Sequence, residues 1–280
     1  MLKKGEKLIR EVENKDYEDL IFLWQKCFDD EREYIESFLT FFRDRMKAFV
    51  YEKDSKVVSA VYCLPSELSF EKKKYNSWYL YAVSTLPEYR KRGYAGQIIG
   101  HIKENLAKES ALFLTPSNEK NHSFYSALGF EDAFYQYIKT YKLKEIESDI
   151  IIKQRENEDI YELRNKILKD ENYVVWDSKH IDFAFGEELF LVEKSGEIKG
   201  YFHIENEKNE YYVDELCVEA DLIEETISKI CKMYQINELK VATIKGEDYC
   251  KKTKGMIYYK FDSIGEFMSK KGLYLGINIE

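Results

Sequence analysis

The residues best suited to chemistry lie at 90 to 95, Arg-Lys-Arg-Gly-Tyr-Ala. They sit between the apolar run WYLYAVS and a stretch whose Ile98, Ile99, Ile102 and Leu106 repeat at helical spacing. A helix start leaves several backbone N–H groups without partners and carries the positive end of the helix dipole. A loop that enters it with N–H groups turned inward makes a cradle for an anion such as a pyrophosphate. Gly93 and Ala95 keep the backbone approachable, and the side chains of Arg90, Lys91 and Arg92 add attraction at the rim. A solvated, basic helix start would have the same composition, so the loop alone leaves both readings open.

Such a loop needs a strand before it and a helix after it. KLIREVEN reads as a first strand, and DYEDLIFLWQKCF and EREYIESFLTFFRDR place apolar residues at helical spacing. KAFVYEK and KVVSAVYCLPSELSF read as strands joined by the turn KDSK, and YNSWYLYAVS leads into the loop. A helix is expected from near Arg92 to about Ala107, then a short buried strand, ALFLTP. NEKNHSFYSALG reads as a helix capped by Gly129, and FEDAFYQYIKTYKL as a strand. This order predicts an α/β fold with a mixed sheet and helices on both faces. From Lys144 the order starts again: KEIESDIIIKQRENEDIYELRNKIL as strand then helix, and ELFLVEK, IKGYFHIEN and EYYVDELCVE as strands. LIEETISKICKMYQ then reads as a helix and ELKVAT as a strand. Two related halves follow, residues 1–145 and 146–280, with the charged KLKEIESD as linker.

Bulk composition excludes several classes. The apolar fraction of 44%, with 23 tyrosines and 17 phenylalanines, can bury a proper core. A net charge of −9 argues against general nucleic-acid binding, which needs a broad basic face, and is compatible with a cationic small substrate. The five cysteines form no CxxC pair and the four histidines show no ligand spacing, so reduced thiols and no metal site are expected. No apolar leader or membrane-length run is present, which predicts a cytoplasmic, soluble protein.

The stretch TPSNEKNHSFYSALGFE, residues 115 to 131, supplies the context for the loop. Asn118 stands seven residues before Tyr125, and FYSALGF closes the helix into the next strand. Together with the Arg-x-x-Gly-x-Ala loop, these residues resemble the GNAT superfamily of N-acetyltransferases over roughly residues 8 to 143. The resemblance implies a domain that uses acetyl-CoA. Backbone groups of Val83, Ser84 and Thr85 would hold the pantetheine arm like an added strand. The loop Arg90, Lys91, Arg92, Gly93, Tyr94, Ala95 and Gly96 would bind the pyrophosphate through N–H groups. Asn118 would contact the cofactor arm, and Tyr125 would sit near the thioester sulfur, giving the leaving thiolate a proton or a hydrogen bond. Acyl transfer would be direct, so the cysteines stay out of the mechanism.

The base is less legible. The strand before the loop offers tyrosines and a tryptophan where many family members carry a glutamate, and Glu67 and Glu88 read as surface carboxylates. The chain is also similar to tandem proteins of the enhanced intracellular survival type, which use a C-terminal carboxylate. That likeness would assign the role to Glu280, with a water chain as the alternative. The second half lacks the cofactor loop: CVEADLIEETIS has no glycine and is acidic, a composition that repels phosphate. IKGEDYCKKTKGMIYYK, the counterpart of the tyrosine helix, keeps Tyr249 but no FYxxLGF. The expectation is two tandem acyl-CoA N-acyltransferase-like domains. The second, degenerate one would form part of an acceptor cleft, with Asp214 and Glu215 as surface acids, either attracting a cationic acceptor or carrying ordinary surface charge. A primary amine, cationic in one reading, is the expected acceptor, and oligomeric state is open. Alternatives are a non-catalytic acetyl-CoA sensor and a tandem-fold aminoacyltransferase.

Overall fold

A computed structural model describes residues 7–108, 110–185, 188–207, 210–243, 250–260 and 272–276, so Tyr249 and Glu280 lie outside the described residues. The first half runs β1 (Lys7–Glu11), α1 (Tyr17–Phe28), α2 (Arg32–Phe42), β2 (Lys47–Lys53), β3 (Lys56–Phe70), β4 (Lys73–Thr85), α3 (Tyr94–Leu106), β5 (Ala111–Leu114), α4 (Glu119–Ala127) and β6 (Glu131–Lys142). The second runs β7 (Ile151–Gln154), α5 (Tyr161–Leu168), β8 (Tyr173–Val175), α6 (Ser178–Phe185), β9 (Leu189–Lys194), β10 (Glu197–Glu207), β11 (Glu210–Val218), α7 (Ile223–Met233), β12 (Glu238–Thr243) and β13 (Cys250–Tyr258).

Apolar spacing accounts for most of these elements. α1 buries Leu20, Ile21, Leu23 and Trp24, and α2 buries Ile35, Phe38, Leu39 and Phe42. Trp24 packs its ring against Phe38 and Tyr62, with centroids 5.0 and 5.1 Å away. Asp29, left-handed at φ +62°, ends α1 with its N–H on the Gln25 carbonyl. Three elements depart from expectation. β8 and α6 form in NYVVWDSKHIDFAF, where charged residues interrupt the apolar period. Residues 250–258, expected to stand in place of a helix, are the strand β13. Its Met256, Ile257 and Tyr258 pair antiparallel with Leu114, Phe113 and Leu112 of β5, a distant partner that local spacing does not reveal.

The chain divides into two compact units. Unit 1 comprises Met1–Glu67, Tyr75–Glu131 and Met256–Phe267, and unit 2 comprises Leu68–Lys74, Asp132–Gly255 and Met268–Glu280. The boundary expected at residue 145 therefore falls inside unit 2. Strand order is β1-β2-β3-β4-β5-β13 in unit 1 and β7-β9-β10-β11-β12-β6 in unit 2. Each contains one parallel pair, β4 with β5 and β11 with β12, followed by an antiparallel closing strand. In both units that closing strand comes from the other half of the sequence.

Unit 2 is organised around a buried ion pair. Arg164 of α5 and Glu215 of β11 are 1% and 0% exposed, with Nε 3.0 Å from Oε1. Arg164 also donates to the Val174 carbonyl at 2.7 Å, and the Tyr201 hydroxyl donates to Glu215 at 2.8 Å. Burial works against the Arg164 charge, but the neighbouring Glu215 outweighs it and the guanidinium stays ionised. Gly276 closes the site at φ +71°, where a Cβ would lie 2.6 Å from both Arg164 Nη2 and Glu215 Oε2. The expectation of surface acids is thus overturned for Glu215. Asp214 is also largely covered, with Oδ1 2.7 Å from His203 Nδ1. Burial alone would push the His203 pKa down, but the bond to Asp214 reverses this and raises it.

Arg164→Met leaves the Glu215 carboxylate buried without its partner and should cost about 3–5 kcal/mol, read by urea denaturation of the full chain. Adding Glu215→Gln should recover part of that loss. An Arg164→Met protein as stable as its parent would refute the anchoring role.

Candidate functional site

The site begins where two strands part. β4 pairs parallel with β5 at Ser77↔Ala111, Trp78↔Leu112 and Tyr79↔Phe113, and the register ends there although β4 runs on to Thr85. Ala82 takes a left-handed backbone, φ +45°, inside the strand and breaks its extended conformation. The far end of β4 is secured by other means. Ser59 Oγ donates to the Ser84 carbonyl at 2.6 Å and lies 2.8 Å from Thr85 Oγ1, and the Leu86 N–H donates to the Val58 carbonyl. Cys27 Sγ and Arg90 Nε both donate to the Thr85 carbonyl, at 3.3 and 3.1 Å. Of the three residues expected to hold an extended ligand by their backbone, Ser84 and Thr85 therefore already have engaged carbonyls.

The loop leaves β4 through a 3-10 turn at Pro87–Tyr89. Lys91 and Gly93 are both left-handed, at φ +60° and +78°, which turns successive N–H groups toward one side. Gly93 is the N-cap, and no side chain caps α3, which begins at Tyr94 rather than at Arg92 because a left-handed residue cannot lie inside a helix. The first-turn N–H groups of Tyr94, Ala95 and Gly96 thus have no side-chain acceptor at the cap. Arg92 is fixed by a bond from Nη2 to the Glu88 carbonyl at 3.0 Å. Lys91 is exposed. The Tyr94 side chain is buried against Tyr51, ring centroids 4.3 Å apart, so its contribution to a cradle is its N–H.

α4 carries the remaining candidates. Asn118 is exposed and caps α4, its Oδ1 accepting from the Asn121 N–H at 3.0 Å. Its amide nitrogen lies 3.2 Å from Ser117 Oγ. Tyr125 is 7% exposed, packed between Phe124 and Phe130. Burial, then the nearby Tyr79, raises its pKa well above the ordinary phenol value, so the hydroxyl stays protonated. Gly129 turns the chain at φ +81° after α4. Lys103 of α3 secures that turn: its Nζ donates to the Leu128 carbonyl and lies 3.6 Å from the Tyr258 ring centroid. Burial pushes the Lys103 pKa down to about 8.

For a base, Glu67 is half-buried and Glu88 is 59% exposed, 4.0 Å from Lys56. Residues from distant segments that no local motif signals lie beside these elements: Ser59 against the end of β4, Lys53 at the Tyr94 hydroxyl, Lys56 at Glu88, and Tyr34, whose hydroxyl is 3.1 Å from that of Tyr81 in β4. Among the described residues, His203, Glu205 and Asp214 of unit 2 bring metal-ligand atoms within 4.8 Å of one another. The bond between His203 and Asp214 accounts for two of these groups. No helix of the described residues is long and apolar enough to cross a membrane.

Residues 8–133 match the family model of the acetyltransferase (GNAT) domain. Most of unit 1 is thus similar to a GNAT acetyltransferase domain. None of the curated proteins matches the chain by sequence. Solved structures share the fold over about nine-tenths of the chain. A probable N-acyltransferase from Enterococcus faecalis superposes with a TM-score of 0.75 at 16% identity, covering 91% of this chain and 72% of that one. Eis1 from Mycobacterium abscessus gives 0.61 at 12% identity, covering 91% and 73%. A tandem GNAT protein from the clavulanic acid biosynthesis pathway gives 0.53 at 10%, covering 90% and 98%. In this GNAT-like region the loop and α4 follow the C-terminal ends of the parallel β4–β5 pair.

Gly93→Ala meets no close neighbour, its Cβ being 3.8 Å from Gln97 Nε2, but it must hold φ +78°. It should cost about 1–2 kcal/mol of stability through backbone strain alone, measured by thermal unfolding. An unchanged stability would mean that the loop relaxes out of the left-handed conformation.

Proposed function

We propose that this protein is an acetyl-CoA-dependent N-acetyltransferase that transfers the acetyl group directly to a primary amine. The observation that carries this reading is the uncapped α3 start behind two left-handed residues, at the place where β4 leaves β5. N–H groups from Arg92 to Gly96 supply an anion cradle for the pyrophosphate, and the free edge near Val83 suits an extended amide arm.

In this reading the neutral amine attacks the thioester carbonyl, a C–N bond forms and the C–S bond breaks. A backbone N–H near Val83 stabilises the oxyanion, and Tyr125 donates its proton to the departing thiolate. The amine proton leaves to solvent, and solvent returns a proton to the Tyr125 oxygen. Asn118, whose oxygen caps α4, orients that helix and offers its amide nitrogen to the cofactor arm. The acidic run Asp29, Asp30 and Glu31 follows α1, whose Cys27 touches the end of β4, and this favours a cationic acceptor. Asp30 is held by Trp24 Nε1 at 2.6 Å. Unit 2 repeats the strand order, but a turn at Ala220–Leu222 replaces the basic loop, with Glu219, Asp221, Glu224 and Glu225 around it. One acetyl-CoA per chain is therefore expected.

Calorimetric titration with acetyl-CoA should show one site. Absence of binding refutes the reading, and two sites would give unit 2 a cofactor role. Tyr125→Phe should keep acetyl-CoA affinity within about twofold and lower kcat about 100-fold or more. A variant with unchanged turnover removes Tyr125 from the mechanism, and a parent protein that binds but acetylates no amine would be a sensor. Because the Tyr125 pKa is raised, the rate should climb as the acceptor amine loses its proton and show no decline from this tyrosine below about pH 10.

A further inference from the structure

The cations around the start of α3 do not all come from the loop. Lys53 ends β2 and Lys56 opens β3, separated only by Asp54 and Ser55. Lys53 Nζ lies 5.7 Å from the Tyr89 ring centroid and 3.4 Å from the Tyr94 hydroxyl. Arg92 Cζ lies 5.3 Å from the same Tyr89 ring. The half-buried Tyr89 is thus flanked by two cations from segments far apart in sequence. Lys56 Nζ stands 5.7 Å from the Phe22 ring and 4.0 Å from Glu88 Oε1. Asp54 and Glu88 are the acids of these segments, and Glu88 is mostly exposed, so they offset little of the local positive charge.

A chain with a net charge of −9 thus converges Lys53, Lys56, Lys91, Arg90 and Arg92 on one helix start. Backbone N–H groups suit a pyrophosphate. They do not call for further point charges from another hairpin. Flexible lysines flanking the cradle suit a separate phosphate monoester, which carries close to two negative charges near neutral pH. We propose that Lys53 and Lys56, with Arg92 across Tyr89, bind the ribose 3′-phosphate of coenzyme A and make the protein select the coenzyme over its 3′-dephospho form. This rests on the acetyl-CoA reading of unit 1.

The test is calorimetric titration of the full chain and of the Lys53→Ala/Lys56→Ala variant with coenzyme A and with 3′-dephospho-coenzyme A. The parent should bind coenzyme A about tenfold or more tighter than the dephospho form, a difference of about 1.4 kcal/mol. In the variant the preference should fall to about threefold or less through loss of coenzyme A affinity. Affinity for the dephospho form should be unchanged, which also shows that the variant is folded. Equal binding of both ligands by the parent overturns the proposal. So does a variant that keeps the preference, or one that loses affinity for both ligands equally, because the lysines would then act on the pyrophosphate. Binding of neither ligand by the parent overturns the acetyl-CoA reading itself.

Discussion

Three residue pairs hold β4 beside β5, and the pairing then stops. Most of the candidate site depends on that interruption. A strand edge without a neighbour presents unpaired N–H and C=O groups, which a folded protein normally covers. Here the left-handed Ala82 breaks the extended backbone of β4, and Ser59, Cys27 and Arg90 hold its far end through side-chain bonds to the Ser84 and Thr85 carbonyls. The strand therefore keeps its position without the partner strand. The α3 start, α4 and the edge itself all lie at the C-terminal end of that pair.

Electrostatics separates the two units more sharply than topology does. Both have a parallel strand pair, a helix entering from it and an antiparallel closing strand. Unit 1 reaches its helix through a long turn with left-handed Lys91 and Gly93, ringed by cations. Unit 2 reaches α7 by a three-residue turn among carboxylates. A like-signed field around an uncapped helix start discourages a phosphate even where the backbone would admit one. The two units thus surround corresponding helix starts with opposite charge.

Unit 2 invests its charge inside. Arg164 and Glu215 are fully desolvated, and such a pair is tolerated only where further bonds satisfy both groups. Val174 and Tyr201 supply such bonds, while Arg164 Nη2 has no hydrogen-bond partner among the described residues. The segment 272–276 is also tied in by its backbone, through Leu273 to Ala133 and Tyr135 and through Tyr274 to Asn172 and Val174. The Trp176 indole adds a bond to the Leu275 carbonyl.

The sequence by itself determined the long periodic elements, the basic loop and the Asn118–Tyr125 helix. These rest on local rules: apolar spacing, the conformational freedom of Gly93 and Gly129, and the donors that any helix start exposes. Local spacing also identified β7, β9, β10, β11, α7 and β12 as a second run of the same order. Only the tertiary structure decided which strand closes each unit, because β6 and β13 pair with strands more than ninety residues away in sequence. It alone placed Glu215 beneath the surface, since a charged residue on an alternating strand reads as exposed until its buried partner is known. It also brought Lys53 and Lys56 to Tyr89 and the Arg92 loop. Cross-strand neighbours of this kind leave no local signal, because their proximity arises from strand pairing and packing and not from spacing along the chain.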